Sequence, residues 1–125
     1  MSNISDKLAS ELLITAFEGG SNYWYMIEGI EKPEQPLAVS FEYSKNIHPY
    51  GLLPFNGGAV LICDADECDD EGREVWRLDR DAVELGKKLI EEDADCYNDL
   101  VGENWDADTS DAFLQLCLFG EMVYG

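Results

Sequence analysis

The chain has 125 residues, 27 acids against 8 lysines and arginines, a formal net charge of -19, and a hydrophobic share of 46%. That length fits one domain with a single core. The apolar share is too high for a disordered acidic tail, and the charge excludes a surface built to hold nucleic acid directly.

The charge is uneven. Residues 1–60 hold seven acids and three bases, and residues 61–125 hold twenty acids and five bases. Such an excess bears on partners and solubility rather than on fold. Met1–Lys7 is polar and shows no signal peptide. The apolar run Ala112–Phe119 falls far short of the roughly 20 residues of a membrane span. Cys63, Cys68, Cys96 and Cys117 lack a paired metal-type spacing. These features predict a soluble cytoplasmic protein with reduced thiols and no membrane partner.

In chain order, Ser5 opens a helix in which Leu8, Leu12, Leu13, Ala16 and Phe17 recur at helical spacing, and Gly19 and Gly20 close it. Ile14 and Thr15 are β-branched and leave a strand open for the last turn. Tyr23–Ile30, rich in aromatic and branched residues, predicts a strand that Pro33 and Pro36 interrupt. From Leu37 to Ser44 the alternation of Leu37, Val39, Phe41 and Tyr43 with polar residues predicts a second, half-buried strand. Lys45–Gly58 is dense in proline and glycine and reads as a loop. Ala59–Cys63 and Glu74–Leu78 form a hairpin around the acidic segment Asp64–Gly72.

The last third is helical in pattern. Asp79 caps a helix bearing Val83, Leu85, Leu89 and Ile90, and a shorter helix over Ala94–Val101 ends near Gly102. Asp108 or Thr109 caps a final helix through Val123 that is apolar nearly all round, which means burial in the core or in a subunit contact. The expected fold is α+β: an N-terminal helix, a small antiparallel sheet of about four strands, and C-terminal helices packed on it.

Two carboxylate clusters stand out. Asp64, Asp66, Glu67, Asp69, Asp70 and Glu71 crowd the hairpin loop, and Glu91, Glu92, Asp95, Asp99 and Glu103 run through the helical region with Asp93, Asp106, Asp108 and Asp111. On one face they would imitate a phosphate track and occupy a basic groove. The competing reading is a solvated acidic surface. A calcium loop fails its template: counted from Asp64, the sixth position is Asp69 instead of glycine and the twelfth is Val75 instead of glutamate. Tyr23, Trp24, Tyr25, Phe41 and Tyr43 form a candidate ligand pocket, against the reading that they are plain core. His48 stands before Pro49 in a turn-rich loop, and no serine or cysteine has a nucleophile context. No catalytic residue, metal or cofactor is expected.

Glu18-Gly19-Gly20-Ser21-Asn22-Tyr23-Trp24 and the ending Asp106-Ala107-Asp108-Thr109-Ser110-Asp111-Ala112-Phe113-Leu114-Gln115, continuing Phe119-Gly120-Glu121-Met122-Val123-Tyr124-Gly125, resemble small acidic proteins of tailed bacteriophages and prophages. The resemblance implies a phage setting and carries no catalytic residue. By analogy it implies an inhibitor of a host nucleic-acid-binding or defence protein, of anti-restriction or anti-CRISPR type, with a basic partner. The alternatives are a small-molecule binder or sponge, and an assembly factor that dimerises through the final helix with Gln115 fixing register.

Overall fold

The computed structural model describes residues 4–17, 24–31, 53–55, 57–67 and 71–123. Helix α1 (Asp6–Thr15) starts where Ser5 accepts the Leu8 N–H at 3.1 Å. Ile14 and Thr15 stay helical, and the Ala16 N–H bonds back to the carbonyls of Leu12 and Leu13. The β-branched penalty is a few tenths of a kcal/mol. Burying Ile14 beside Leu12 and Leu13 contributes about 2 kcal/mol and prevails.

Strands β1 (Tyr25–Glu31), β2 (Ala59–Asp64) and β3 (Val75–Leu78) form an antiparallel sheet in the order β1-β2-β3. The expected strand at Leu37–Ser44 lies outside the described residues, so the sheet has three strands among them rather than four. In β1 the register slips between Ile27 and Gly29, a bulge at Glu28. The extra residue reverses the alternation. Ile27, opposite Ile62, and Ile30, opposite Val60, therefore share one face of the sheet although they are three apart, Ile30 being exposed near the strand's end. Trp76 and Leu78 continue that face on β3, opposite Ile62 and Val60.

Helix α2 (Arg80–Glu92) is capped by Asp79, which accepts the Ala82 N–H at 2.9 Å, and α3 (Ala94–Val101) by Asp93, which accepts the Cys96 N–H at 3.1 Å. Helix α3 ends at Gly102 as expected, with φ -81°, and the left-handed residue that follows is Glu103, at φ 58°. Helix α4 (Ala107–Phe119) corrects both expected ends. Asp106, not Asp108 or Thr109, is the cap: its carboxylate accepts the N–H groups of Asp108 and Thr109 while the Thr109 hydroxyl accepts the Asp106 N–H. This reciprocal box fixes the start. Gly120, left-handed at φ 76°, stops the helix short of Val123.

Helix α4 packs against α2 and α1 and also meets β3. Leu12, Leu13, Val60, Ile62, Leu78, Val83, Ile90, Phe113 and Leu114 are completely buried between these layers. The all-round apolarity of α4 is thus satisfied within one chain. Gln115 is wholly buried, donating to Asp111 at 3.0 Å and accepting the Val123 N–H at 2.8 Å, so it holds the chain's own end rather than a helix register between copies. Among the described residues no helix is long and apolar enough to cross a membrane.

Candidate partner-binding surface

The acids of the helical region divide by what they touch. Asp93 and Asp106 are helix caps, and Asp111 is buried at 7% exposure. Glu91 is half-buried; Glu92, Asp95, Asp99, Glu103 and Asp108 are exposed. Asp95 and Asp99 lie one turn apart on α3, which sets like charges about 6 Å from each other. In the hairpin turn, Asp64 accepts the Asp66 N–H at 2.8 Å, and Asp66, Glu67 and Glu71 are exposed. Asp69 and Asp70 lie outside the described residues.

Cations are engaged elsewhere. Arg73 pairs with Glu28, Arg77 with Glu31 and Asp79, and Arg80 and Lys87 both with Asp6 and Glu84. Hydrogen bonds from Arg73 and Arg77 hold the carboxyls of Glu28 and Glu31 below their ordinary values. Burial raises the Asp6 carboxyl, but Lys87 and Arg80 outweigh it and leave it lowered. Among the described residues no ion pair reaches Glu92, Asp95, Asp99 or Glu103. The local field shows at Cys96, whose thiol is pushed up to about 11 by burial and by Asp93, Asp99 and Asp95.

The two clusters are separate in the chain, and the turn that carries the first rests on the buried core. The Ala65 N–H donates to the Trp24 carbonyl at 2.9 Å. The Trp24 ring lies 5.6 Å from that of Phe119.

Trp24 and Tyr25 are core residues, 3% and 6% exposed. The Trp24 indole donates to Asp111 at 2.7 Å and the Tyr25 hydroxyl to the Ala16 carbonyl at 3.3 Å. Their polar atoms are thus held inside the chain. The other candidate pocket residues, Tyr23, Phe41 and Tyr43, lie outside the described residues. Two clefts open elsewhere. One, of about 180 Å³, is lined by Gly57, Gly58, Arg77 and Arg80 at the start of α2. Asp79 and Asp81 line it too, and both guanidiniums already hold carboxylates, so it does not suit an anion. The other, of about 400 Å³, lies between α1 and the α3–α4 corner, lined by Ser5, Lys7, Leu8, Glu11, Leu100, Glu103 and Trp105. Only Glu103 of these was marked by the sequence, because nothing local reports that α1 and the α3–α4 corner meet.

Among the described residues no group of three or more histidines, cysteines or acids is arranged to hold a metal ion. Cys96 and Cys117 are free thiols. Cys63 is disulfide-bonded, against the expectation of four reduced thiols, and its partner lies outside the described residues. Apolar surroundings and metal-type spacing do not report whether a second sulfur comes within bonding reach.

Fold and surface together define a small acidic α+β protein in which Arg73, Arg77, Arg80 and Lys87 pair with acids of the sheet, α1 and α2, while no ion pair among the described residues reaches Glu92, Asp95, Asp99 or Glu103. Compared with protein families, curated proteins and solved structures, the chain matches no family model, no curated protein and no solved structure.

Proposed function

We propose that this is a non-catalytic, phage-type acidic protein that occupies the cationic surface of a host nucleic-acid-binding or defence protein. It is a carboxylate mimic of DNA or RNA in the manner of anti-restriction and anti-CRISPR proteins. The observation that carries this reading is the set Glu92, Asp95, Asp99 and Glu103, exposed and, among the described residues, reached by no ion pair. Acids placed for stability would be expected to share in the pairing seen at Asp6, Glu28, Glu31 and Glu84. Like charges along one helix instead cost a few tenths of a kcal/mol per pair, a cost that a basic groove would reverse.

The acidic turn, with Asp66, Glu67 and Glu71 exposed, adds a second anionic segment to this reading. Affinity for such a partner should fall steeply with salt, because each phosphate-like contact depends on released counterions.

The test is capture of basic nucleic-acid-binding proteins from host lysate on the immobilised chain, at about 50 and about 200 mM salt. The comparison is with a variant carrying Glu92→Gln, Asp95→Asn, Asp99→Asn and Glu103→Gln. Capture that disappears at the higher salt and in the variant supports the reading. Capture unchanged by neutralisation sinks it.

A further inference from the structure

We infer that the cleft between α1 and the α3–α4 corner is a socket for a single arginine side chain. Its chemistry is specific. Trp105 supplies an aromatic surface, Leu8 and Leu100 supply apolar wall, and Glu11 and Glu103 bring carboxylates from two different elements. The volume of about 400 Å³ lies within the range of sites that hold small ligands, about 300–1,000 Å³.

A guanidinium on an aliphatic stem suits the apolar, aromatic and acidic walls together. The stem lies along the leucines, the planar head stacks on the indole, and its N–H fork pairs with a carboxylate. Lysine offers a compact, more strongly hydrated charge without the fork, so arginine is the better occupant. A phosphate or a carboxylate would meet Glu11 and Glu103 in a chain of net charge -19. A neutral apolar ligand would desolvate both carboxylates with nothing in return. Lys7 lines the same cleft, so its ammonium competes with an incoming cation.

This inference deepens the proposed binding to a basic partner, since Glu103 belongs to both the cleft and the exposed acidic set. It would give the partner one oriented anchor in addition to a diffuse field, and such buried arginine contacts are where binding energy concentrates. The α1 wall brings the first half of the chain into the site.

The test uses N-acetyl-arginine amide and the full chain, followed by the tryptophan indole N–H resonances, with that of Trp105 assigned from Trp105→Phe. We expect the Trp105 signal to shift saturably while those of Trp24 and Trp76 stay in place. Glu11→Gln and Glu103→Gln should each weaken binding several-fold, Lys7→Gln should strengthen it, and N-acetyl-norleucine amide should bind at least tenfold more weakly. Equal response to the neutral analogue, or affinity unchanged in both glutamine variants, overturns the socket. Because the glutamines are polar replacements at the surface, both variants should fold even if Trp105→Phe does not. The two readings also fail separately. Arginine that binds while lysate capture is salt-blind removes the mimic and leaves the socket, and salt-sensitive capture with no arginine response does the reverse.

Discussion

The indole N–H of Trp24 donates to the carboxylate of Asp111 at 2.7 Å, tying the entry to β1 to the middle of α4 across 87 residues. Asp111 also accepts from Gln115, which in turn accepts the Val123 N–H. One buried carboxylate therefore fastens the start of the sheet, the last helix and the segment after it. It is an acid that charge counting assigned to the surface.

Asp111→Ala should destabilise the fold by about 2–4 kcal/mol, because it strands two buried donors. Asp111→Asn should cost less. Its oxygen can keep the Trp24 bond, but its amide then faces the Gln115 amide, and turning Gln115 round gives up the Val123 N–H. Chemical denaturation of both variants tests the order. Hydrogen exchange at Val123 should speed up in Asp111→Asn, and an unchanged rate would remove Gln115 as the link.

Burial, and then the charge of Asp111, pushes the Tyr25 hydroxyl from its ordinary 10.0 up to about 12. The folded state favours the neutral phenol, so its contribution is complete below pH 10.0 and is lost as pH rises through about 12. The shift corresponds to about 3 kcal/mol. Stability of the wild type should therefore fall more than that of Tyr25→Phe between these limits. In Asp111→Asn the phenol should titrate earlier. Parallel pH profiles for wild type and Tyr25→Phe would contradict the assignment.

Helices α2 and α4 approach at Gly86, where an added methyl group would overlap Cys117 Sγ and sit 3.2 Å from Phe113 Cε1. Gly86→Ala should lose about 1–3 kcal/mol by overpacking, against about 1 kcal/mol gained in helix propensity. Cys117→Ala frees the space the methyl needs. The double variant should recover to within about 1 kcal/mol of wild type, and additive losses in the thermal midpoints would show that the clash lies elsewhere.

A net charge of -19 works against the compact state. Raising salt from about 10 to about 150 mM shortens the screening length from about 30 to about 8 Å. The ion pairs that salt also weakens are largely exposed, as at Arg77 and Arg80, and such pairs contribute about 0–1 kcal/mol each. Screening of repulsion should prevail and the thermal midpoint should rise with salt. A falling midpoint would mean that the Asp6, Arg80, Glu84 and Lys87 network outweighs the global field.

Much of the fold was legible where its causes are local. Ser5 and Asp79 cap the helices expected of them, and α3 occupies Ala94–Val101, because caps and periodicity act within one turn. The start of α4 misled because Asp106, Asp108 and Thr109 all offer cap oxygens, and only the backbone turn at Asp106 chooses among them. Of the candidate surface, Glu92, Asp95, Asp99 and Glu103 are exposed, as either a binding face or a solvated face would have them. The cleft partners Glu11 and Trp105 carried no local signal.

Composition and spacing alone determined that this chain is acidic and α+β, where α1, α2 and α3 begin, and which half carries the charge, since these depend on residues within a turn or a strand pair of one another. Tertiary structure decided the role of each acid. Asp111 goes inside because Trp24 and Gln115 meet it there, Asp6 and Glu84 are neutralised because α1 and α2 come together, and Glu92, Asp95, Asp99 and Glu103 stay open because no ion pair among the described residues reaches them. Charge is a property of the residue, whereas its compensation depends on neighbours that only the packed chain supplies.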